Sequence, residues 1–268
     1  MTTNINEGDP VSAARYRAPA LEKGLDILEL LARQASGMSL TVMCREMGRS
    51  LGEIYRIALA LEARGYIRRE AESDSFALTL RLFELASEHP PMNRLLSAAL
   101  PEMQRLAVEA EQSCHLAIVT GGQLLVIAQI DSPRPMHYAV RMGARFPVLE
   151  TSSGAVFLAF GGQLDALEDA KRQSPDFAGD IEQRLKEIRR TGGERRQSLV
   201  VSGVINLSRP VFDHHGIVAV LTMPFLDQRG LAVGVDQAEA AIIASAQRLS
   251  AALGGRSSAP PLAKEVAA

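Results

Sequence analysis

The chain has 268 residues, of which 47% are hydrophobic and 22% are charged, and its net charge at pH 7 is −2. This length favours two domains, and the near-neutral charge excludes a protein that coats nucleic acid through a global basic field. The apolar runs are far shorter than the ~20 residues that a membrane helix needs, so we expect no membrane partner. The N-terminus lacks a signal-peptide core, and Cys44 and Cys114 form no disulfide pattern, which indicates a cytoplasmic protein.

Three helices and a hairpin follow one another in the first third of the chain. Leucines at helical spacing predict a helix that begins at Pro19, and Ser39 caps a short second helix that Gly48 ends. Ser50 begins a third helix, with Glu53 three residues later at the capping-box spacing. A β-hairpin with a long polar turn comes next. This order predicts a winged helix-turn-helix domain.

The rest of the chain alternates between strand-like and helical segments. Pro101 is expected to kink or restart the helix in which it lies. Two strand-like runs around residues 121–122 predict a hairpin, residues 137–141 are a candidate third strand, and a second hairpin turns at residues 214–216. Helical segments lie between the hairpins, and a final helix spans residues 235–253. The pattern predicts an α+β domain with one central antiparallel sheet flanked by helices.

The sequence contains no motif typical of catalysis or of metal binding. It has no nucleophile elbow, zinc-protease helix, phosphate-binding loop or dinucleotide fingerprint. His214 and His215 are expected to point apart on a solvated turn, since neighbouring turn residues rarely share a ligand. His115 lies in an apolar strand and is expected to be a satisfied core histidine, next to Cys114 as a small buried residue. We therefore expect no enzyme, no cofactor, no catalytic residues and no metal site.

Residues 39–69 carry the strongest indication of function. They contain six arginines against three glutamates, a local charge of +3 in a near-neutral protein. In a winged helix-turn-helix domain the third helix enters the major groove, its first turn nearest the bases, and the wing lies along the phosphate backbone. Alternatively, these arginines only form a solvated helix face. The helix-turn-helix and wing around them favour the interpretation that they bind double-stranded DNA. The candidate DNA-binding residues are Ser39, Thr41, Arg49, Ser50, Glu53, Tyr55, Arg56, Arg68 and Arg69.

A series of short motifs follows one another over roughly residues 18–253. The motifs are Ala20-Leu21-Glu22-Lys23-Gly24-Leu25-Asp26-Ile27-Leu28, Ile54-Tyr55-Arg56, Arg64-Gly65-Tyr66-Ile67, His115-Leu116-Ala117, Arg141-x-Gly143, Thr151-Ser152-Ser153-Gly154, Gly203-Val204 and Pro210-Val211-Phe212-Asp213. In this order and spacing they resemble the IclR family of bacterial transcriptional regulators. The resemblance implies a winged helix-turn-helix domain and a GAF-like effector domain that binds a small organic acid or aromatic compound. It also implies a homodimer or a dimer of dimers on a palindromic operator.

The third helix departs from the pattern of the family. Members often carry Lys-Ser-Thr where this chain has Leu51, Gly52 and Glu53, and Ser50 stands in place of the preceding proline. Glu53 either accepts from a cytosine amine or only closes the capping box, and we favour the cap. The operator sequence of other members is therefore not transferable. The better contact candidates are Arg49, Ser50, Tyr55 and Arg56.

The resemblance also implies an effector pocket between the helix after Thr151 and the edge of the sheet. Asn206 and Thr222 match pocket positions of the family and offer neutral hydrogen bonds to a carboxylate or hydroxyl group. An inward Arg196, which stands where members often have an aspartate, would favour an anionic ligand. The apolar candidates, Met142, Phe146 and Leu149, form either a wall of the pocket or part of the ordinary hydrophobic core. The candidate effector-binding residues are Met142, Phe146, Leu149, Ser152, Ser153, Arg196, Asn206 and Thr222.

The predicted protein is an effector-responsive regulator, either a repressor or an activator, in which the ligand changes the placement of two DNA-binding heads. One alternative is an enzyme with a catalytic α+β domain, which the missing nucleophile–base set disfavours. The other is a winged module that binds a protein, which steep salt dependence of duplex binding would argue against. The predicted segments are a disordered arm (1–18), the winged helix-turn-helix domain (19–78), a helical linker (79–92), the GAF-like effector domain (93–253) and a disordered tail (254–268).

Overall fold

The computed structural model of the chain describes residues 18–71, 73–161 and 164–255. Almost all of the predicted arm and tail lie outside the described residues. The chain divides into two compact units, with the division between Pro90 and Pro91. The boundaries expected for the domains and the linker stay a prediction.

In its described residues, the N-terminal unit has four helices and a three-stranded antiparallel sheet of order β1-β3-β2. Strands β2 and β3 form the expected hairpin, and β1 adds a short strand to it by pairing Met38 with Phe76. The elements are α1 (Pro19–Ala32), β1 (Met38–Ser39), α2 (Leu40–Met47), α3 (Leu51–Ala63), β2 (Ile67–Arg69), β3 (Ser75–Leu78) and α4 (Arg81–Glu88).

The core of this unit joins the three helices to the wing. Ile27 of α1, Met43 of α2, Ile54 of α3 and Phe76 of β3 are all completely buried in one apolar cluster. Burial of each such side chain stabilises the fold by roughly 1.5–3 kcal/mol. The cluster fixes α3 against α1 and α2, so the predicted winged helix-turn-helix fold is confirmed.

In its described residues, the C-terminal unit has five helices and a six-stranded antiparallel sheet of order β6-β5-β4-β9-β8-β7. The expected central antiparallel sheet flanked by helices is therefore confirmed. The elements are α5 (Pro90–Ala110), β4 (Cys114–Thr120), β5 (Gln123–Ile130), β6 (Arg145–Pro147), a 3-10 turn (Val148–Glu150), α6 (Ser152–Gly161), α7 (Leu164–Gln173), a second 3-10 turn (Pro175–Phe177), α8 (Ile181–Thr191), β7 (Glu194–Gln197), β8 (Val204–Phe212), β9 (Ile217–Leu226) and α9 (Val235–Ala252).

The sheet separates two apolar layers because alternate residues of each strand face opposite sides. On one side, Leu207 and Leu221 pack with α5 and α9. On the other side, α6 and α8 form a second cluster that includes Ile188. Thr222 follows Leu221 in β9 and therefore faces α6, where its hydroxyl meets that of Ser153. The alternation of β9 thus brings polar groups beneath the start of α6.

The third strand expected at residues 137–141 is absent from the described part of the sheet, and β6 takes the edge position beside β5. Gly143, with φ of +81°, makes the turn that brings the chain back to β5. Its N–H donates to the carbonyl of Val126, and the Val126 N–H donates to the carbonyl of Ala144. The chain therefore joins the sheet only after this turn, and the expected strand position is wrong.

Helix α5 continues through Pro101 without the restart that the sequence predicts. A proline inside a helix costs about 3 kcal/mol. The same helix buries Leu95, Ala99, Met103 and Leu106 against the sheet. At roughly 1.5–3 kcal/mol for each large apolar side chain, this burial outweighs the cost of the proline.

His214 and His215 lie on the exposed turn between β8 and β9, with ring centroids 3.8 Å apart, so the expectation that they point apart is wrong. Among the described residues, no three His, Cys, Asp or Glu side chains form a group that could hold a metal ion. No helix in that same part of the chain is long and apolar enough to cross a membrane. The expectation for Cys114 is confirmed, since it is completely buried and burial raises the pKa of its thiol to about 12.

Gly154 permits the close approach of α6 to the preceding turn, because a Cβ atom at this position would overlap the carbonyl of Val148. We expect Gly154→Ala to destabilise the protein by about 1–3 kcal/mol, the usual cost of overpacking against atoms that cannot move aside. Thermal unfolding followed by circular dichroism measures the change.

The control is Gly161→Ala at the end of the same helix, where a Cβ atom would make only ordinary contacts, at 3.6 Å from Phe157. We expect its stability to stay the same or to rise by up to about 1 kcal/mol. Equal melting temperatures for the two variants would contradict the role given to Gly154.

Candidate functional site

Helices α2 and α3 form the helix-turn-helix through caps that the sequence predicts. The Ser39 hydroxyl accepts from the Val42 N–H at 3.5 Å and begins α2. Gly48, in the left-handed conformation at φ of +61°, ends it. Ser50 is the residue before α3, so the turn between the helices is three residues long. These caps set the direction in which α3 leaves the turn.

The Glu53 carboxylate joins the start of α3 to α1. Its Oε2 accepts from the Ser50 N–H at 3.3 Å and from the Ser50 hydroxyl at 2.9 Å. Its Oε1 accepts from Nζ of Lys23 at 2.5 Å. The Lys23 hydrogen bond, followed by those from Ser50, lowers the pKa of Glu53 to about 2. Both oxygens are engaged within the protein, which favours the capping interpretation over contact with a base.

Two arginines near the start of α3 carry charge that no carboxylate of the described residues neutralises. Arg49 and Arg56 are exposed, and neither forms an ion pair with any residue that the structure describes. The Arg56 Nε donates only to the carbonyl of Gly52, at 3.4 Å. Tyr55 lies beside Arg56 and is 42% exposed. This end of α3 therefore presents free cationic donors and one aromatic ring to the outside.

The wing arginines differ in how firmly the protein holds them. Arg69 pairs with Asp74 at 3.1 Å, and its guanidinium lies over the ring of Phe76 at 4.9 Å. The ion pair of Arg68 with Glu70 is longer, at 3.6 Å, and the Arg68 side chain is more exposed than that of Arg69. Arg68 is thus the more available cation of the wing. Of the remaining candidates, Ser39 caps α2 and Thr41 is exposed.

The C-terminal unit contains a cavity of about 70 Å³ between the start of α6 and the polar side of the sheet. Five of the candidate effector residues lie around it, namely Phe146, Ser152, Ser153, Asn206 and Thr222. Their role in binding stays a prediction. The complete lining is His115, Leu124, Tyr138, Val140, Phe146, Glu150, Thr151, Ser152, Ser153, Ser198, Leu199, Val200, Asn206 and Thr222.

A row of three buried hydroxyl groups adjoins this pocket, and two of its members, Ser153 and Thr222, belong to the lining. The Thr222 hydroxyl hydrogen-bonds that of Ser153 at 2.8 Å and that of Ser208 at 2.9 Å. Ser208 and Thr222 are opposite each other in β8 and β9, and all three side chains are at most 3% exposed. The row connects the sheet to the first turn of α6, where Ser153 lies. It offers either donors or acceptors, because hydroxyl protons can rotate.

His115 lies beside this row, since it pairs with Thr222 across β4 and β9. The expectation of burial is confirmed, but His115 is not satisfied: its Nδ1 is buried and has no hydrogen-bond partner among the described residues. Burial lowers the pKa of His115 to about 4. The ring is therefore neutral at physiological pH and presents an unused polar atom in a residue that lines the pocket.

The loop before α6 is held by Arg184 of α8. Its guanidinium donates to the carbonyls of Leu149 and Thr151 at 3.1 and 3.2 Å. It also forms a two-point ion pair with Glu194, at 2.7 and 2.8 Å. The Thr151 hydroxyl in turn accepts from the Gly154 N–H at 3.0 Å and caps α6. Arg184, which the sequence analysis missed, thus fixes one wall of the pocket.

Three candidate effector residues lie elsewhere. Met142 is 66% exposed, and Leu149 is completely buried in the core between α6 and α8. Arg196 lies at the edge strand β7, 3.9 Å from Glu194, and lines a different cleft. The pocket residues that sequence reasoning missed come mainly from loops, such as Tyr138 and Leu199, where periodicity gives no signal.

A winged helix-turn-helix unit with free arginines, joined in one chain to an α+β unit with a pocket, defines a DNA-binding transcriptional regulator. Family models agree: that for the bacterial transcriptional regulator IclR C-terminal domain matches residues 92–251, and that for the IclR helix-turn-helix domain matches residues 20–71. The chain belongs to the IclR family. Members of this family are regulators and not enzymes.

Individual relatives are distant in sequence. The HTH-type transcriptional regulator KdgR of Escherichia coli is 25% identical over 241 residues, which cover 87% of this chain and 91% of that protein. The crystal structure of Pseudomonas aeruginosa HmgR matches with a TM-score of 0.71 at 24% identity. The match covers 88% of this chain and 100% of the HmgR chain. An IclR homologue from Microbacterium hydrocarbonoxydans, complexed with 4-hydroxybenzoate, matches with a TM-score of 0.74 at 18% identity. This match covers 87% of our chain and 98% of the homologue.

The buried His115 generates a prediction about acid stability. Because folding favours the neutral ring, unfolding takes up a proton below the ordinary pKa of 6.5. The contribution of His115 to the free energy of unfolding is fully present above about pH 6.5 and is lost as the pH falls towards 4. The loss amounts to up to about 3 kcal/mol. We expect His115→Gln to show a flatter pH dependence over this window, in urea unfolding followed by circular dichroism.

The exposed His214 supplies the matched control. His214→Gln removes a histidine of the same unit from an open turn, and its pH profile is expected to follow that of the wild type. A His115→Gln profile parallel to the wild type between pH 7 and 4.5 would contradict the assignment of a buried neutral ring.

Proposed function

We propose that this protein is an effector-responsive transcriptional regulator that binds a palindromic operator as a homodimer or a dimer of dimers. The observation that carries the proposal is the pair of unneutralised arginines, Arg49 and Arg56, at the start of a helix held by caps. Its site of action is the cytoplasm, where bacterial DNA lies. The operator-bound form acts either as a repressor or as an activator in this proposal.

In this proposal, DNA is contacted by the N-terminal half of α3, by the turn before it and by the wing. Arg56 and Tyr55 approach base edges in the major groove, while Arg49 and Arg68 contact phosphates. Glu53 holds α3 in place through Ser50 and Lys23 and does not read a base. This division follows from which side chains are free and which are engaged.

Arg56→Ala tests the assignment of α3. We expect it to weaken binding to the DNA upstream of its own gene about tenfold to hundredfold, the range for losing a base or phosphate contact. Fluorescence anisotropy in rising salt, with nonspecific competitor DNA, measures the effect. Arg33→Ala, at the exposed end of α1, is the control and is expected to bind within about twofold of the wild type. Unchanged binding by Arg56→Ala would exclude the proposed role of α3.

The pocket of the C-terminal unit is the proposed effector site, and a small carboxylate or hydroxylated aromatic compound is the proposed ligand class. The hydroxyl row and Asn206 suit a carboxylate or phenol, and Leu124, Val140 and Phe146 suit an aromatic ring. The first turn of α6 adds backbone N–H groups that favour an anion. The 4-hydroxybenzoate bound by the Microbacterium homologue belongs to the same chemical class.

The small size of the cavity implies that the pocket opens to admit its ligand. A volume of about 70 Å³ holds roughly two water molecules, since each occupies about 30 Å³ in the liquid. The exposed Leu199 and Val200 at its rim are 51% and 76% accessible and lie in the loop between β7 and β8. We propose that this loop moves outward. The ligand then favours one placement of the DNA-binding heads through a coupling free energy of about 1–3 kcal/mol.

Thr222→Val tests the pocket, because it removes the hydroxyl at the centre of the row with little change in shape. We expect it to weaken the binding of 4-hydroxybenzoate, or of the tightest ligand in a panel of small carboxylic and phenolic compounds, about tenfold. Isothermal titration calorimetry measures the affinity. The control is Thr120→Val at the exposed end of β4, where we expect no change. A tight ligand that is insensitive to Thr222→Val would bind elsewhere.

A further inference from the structure

A second cleft, of about 290 Å³, lies at the free edge of the sheet in the C-terminal unit. It is larger than the effector pocket and has a different chemistry. Four arginines line it, from α8, β7 and β8, together with the carboxylates of Glu187, Glu194 and Glu239. The arginines are Arg184, Arg195, Arg196 and Arg209.

Arg209 is the most unusual of these side chains because it is only 6% exposed. One end of its guanidinium donates to Glu239 at 2.5 Å, and the other donates to the carbonyls of Ser208 and Glu194 at 2.9 and 3.3 Å. Its Nε is buried and has no hydrogen-bond partner among the described residues. Gly193 leaves room for it, since a Cβ atom there would overlap this guanidinium. The cleft thus contains a buried cation with an unused donor.

The carboxylates of the cleft do not balance its arginines. Glu194 is held at two points by Arg184, and Glu239 is shared between Arg195 and Arg209. Arg195 also pairs with Asp236 of α9, outside the lining, at 2.6 Å. The third acidic lining residue, Glu187, pairs with Arg190 outside the lining. Arg196 is left with Glu194 at 3.9 Å as its partner, and its side chain is 43% exposed. A partly exposed guanidinium is therefore available in the lining of the cleft, in addition to the buried one.

We propose that this cleft binds a small oxyanion, such as a phosphate, sulfate or carboxylate group, at a site separate from the effector pocket. Arg196 closes on the anion from the mouth of the cleft, and the Nε of Arg209 donates to it from within. Planar guanidinium groups match oxyanions and bind them by charge-assisted hydrogen bonds. The site also gives a role to Arg196, which does not line the effector pocket.

The cleft and the effector pocket share one connecting side chain. Arg184 lines the cleft through its ion pair with Glu194, and also donates to the carbonyl of Thr151, which lines the pocket. An anion in the cleft is therefore positioned to affect the loop that caps α6. The two sites nevertheless use different residues for direct contact, so variants can separate them.

The test is equilibrium dialysis of the full chain against radiolabelled inorganic phosphate at fixed chloride concentration. We expect saturable binding of one phosphate per chain by the wild type. Arg196→Gln is expected to weaken it about tenfold, as for the loss of one charge-assisted hydrogen bond. Arg196 is chosen because it is exposed and loosely held, whereas a change at the buried Arg209 risks unfolding. Displacement of phosphate by sulfate or by acetate distinguishes a tetrahedral from a carboxylate preference.

Three control variants make the outcome specific to the cleft. Arg172→Gln removes an exposed arginine of α7, Thr222→Val alters the effector pocket and Arg56→Ala alters the DNA-binding helix. All three are expected to bind phosphate as the wild type does. Binding that does not saturate, that survives Arg196→Gln, or that is lost equally in any of the three controls would overturn the proposal. Because the Thr222→Val control is scored with phosphate, failure of the effector assignment would leave this result unaffected.

Discussion

The buried ion pair between Arg184 and Glu194 is the contact on which the C-terminal unit depends. The two side chains are 12% and 9% exposed and join α8 to the edge strand β7. The spare donors of the guanidinium reach the carbonyls of Leu149 and Thr151, which fixes the start of α6 over the sheet. Removing one partner would leave an uncompensated buried charge, at a cost of about 3–5 kcal/mol. The pair thereby holds one wall of the pocket, the loop that includes Thr151, in place.

A carboxylate has a comparable organising role in the N-terminal unit. Glu53 is partly exposed, so solvent screens its ion pair with Lys23, and the pair contributes less to stability than a buried one. Its value is geometric, because the same group closes the capping box with Ser50 and attaches α3 to α1. The helix thus keeps its orientation while its arginines remain free. Because the free arginines of α3 do not anchor the helix to the rest of the unit, Glu53 provides that attachment.

The fold was predictable where its signals are local, and the site only in part. Caps such as Ser39, Gly48 and Ser50 act within one helical turn, so the sequence contains the whole signal. Arg196 shows the limit. It lies directly opposite Asn206 in the β7–β8 pair, yet only Asn206 lines the pocket, because the arginine extends towards the cleft at the sheet edge. Which cavity a long side chain reaches depends on packing between distant segments, which spacing along the chain does not encode.

The buried nitrogen atoms without hydrogen-bond partners suggest how a ligand could shift the conformation of the C-terminal unit. His115 and Arg209 each bury a nitrogen without a partner among the described residues, and both line cavities. Such a group destabilises the fold by about 1–3 kcal/mol until it finds a partner. A ligand that supplies the partner recovers this free energy only in the conformation that brings the groups together. The amount is of the same order as a typical allosteric coupling, about 1–3 kcal/mol. In the proposed regulator, one satisfied hydrogen bond would therefore be enough to bias the protein between two conformations with different affinities for DNA.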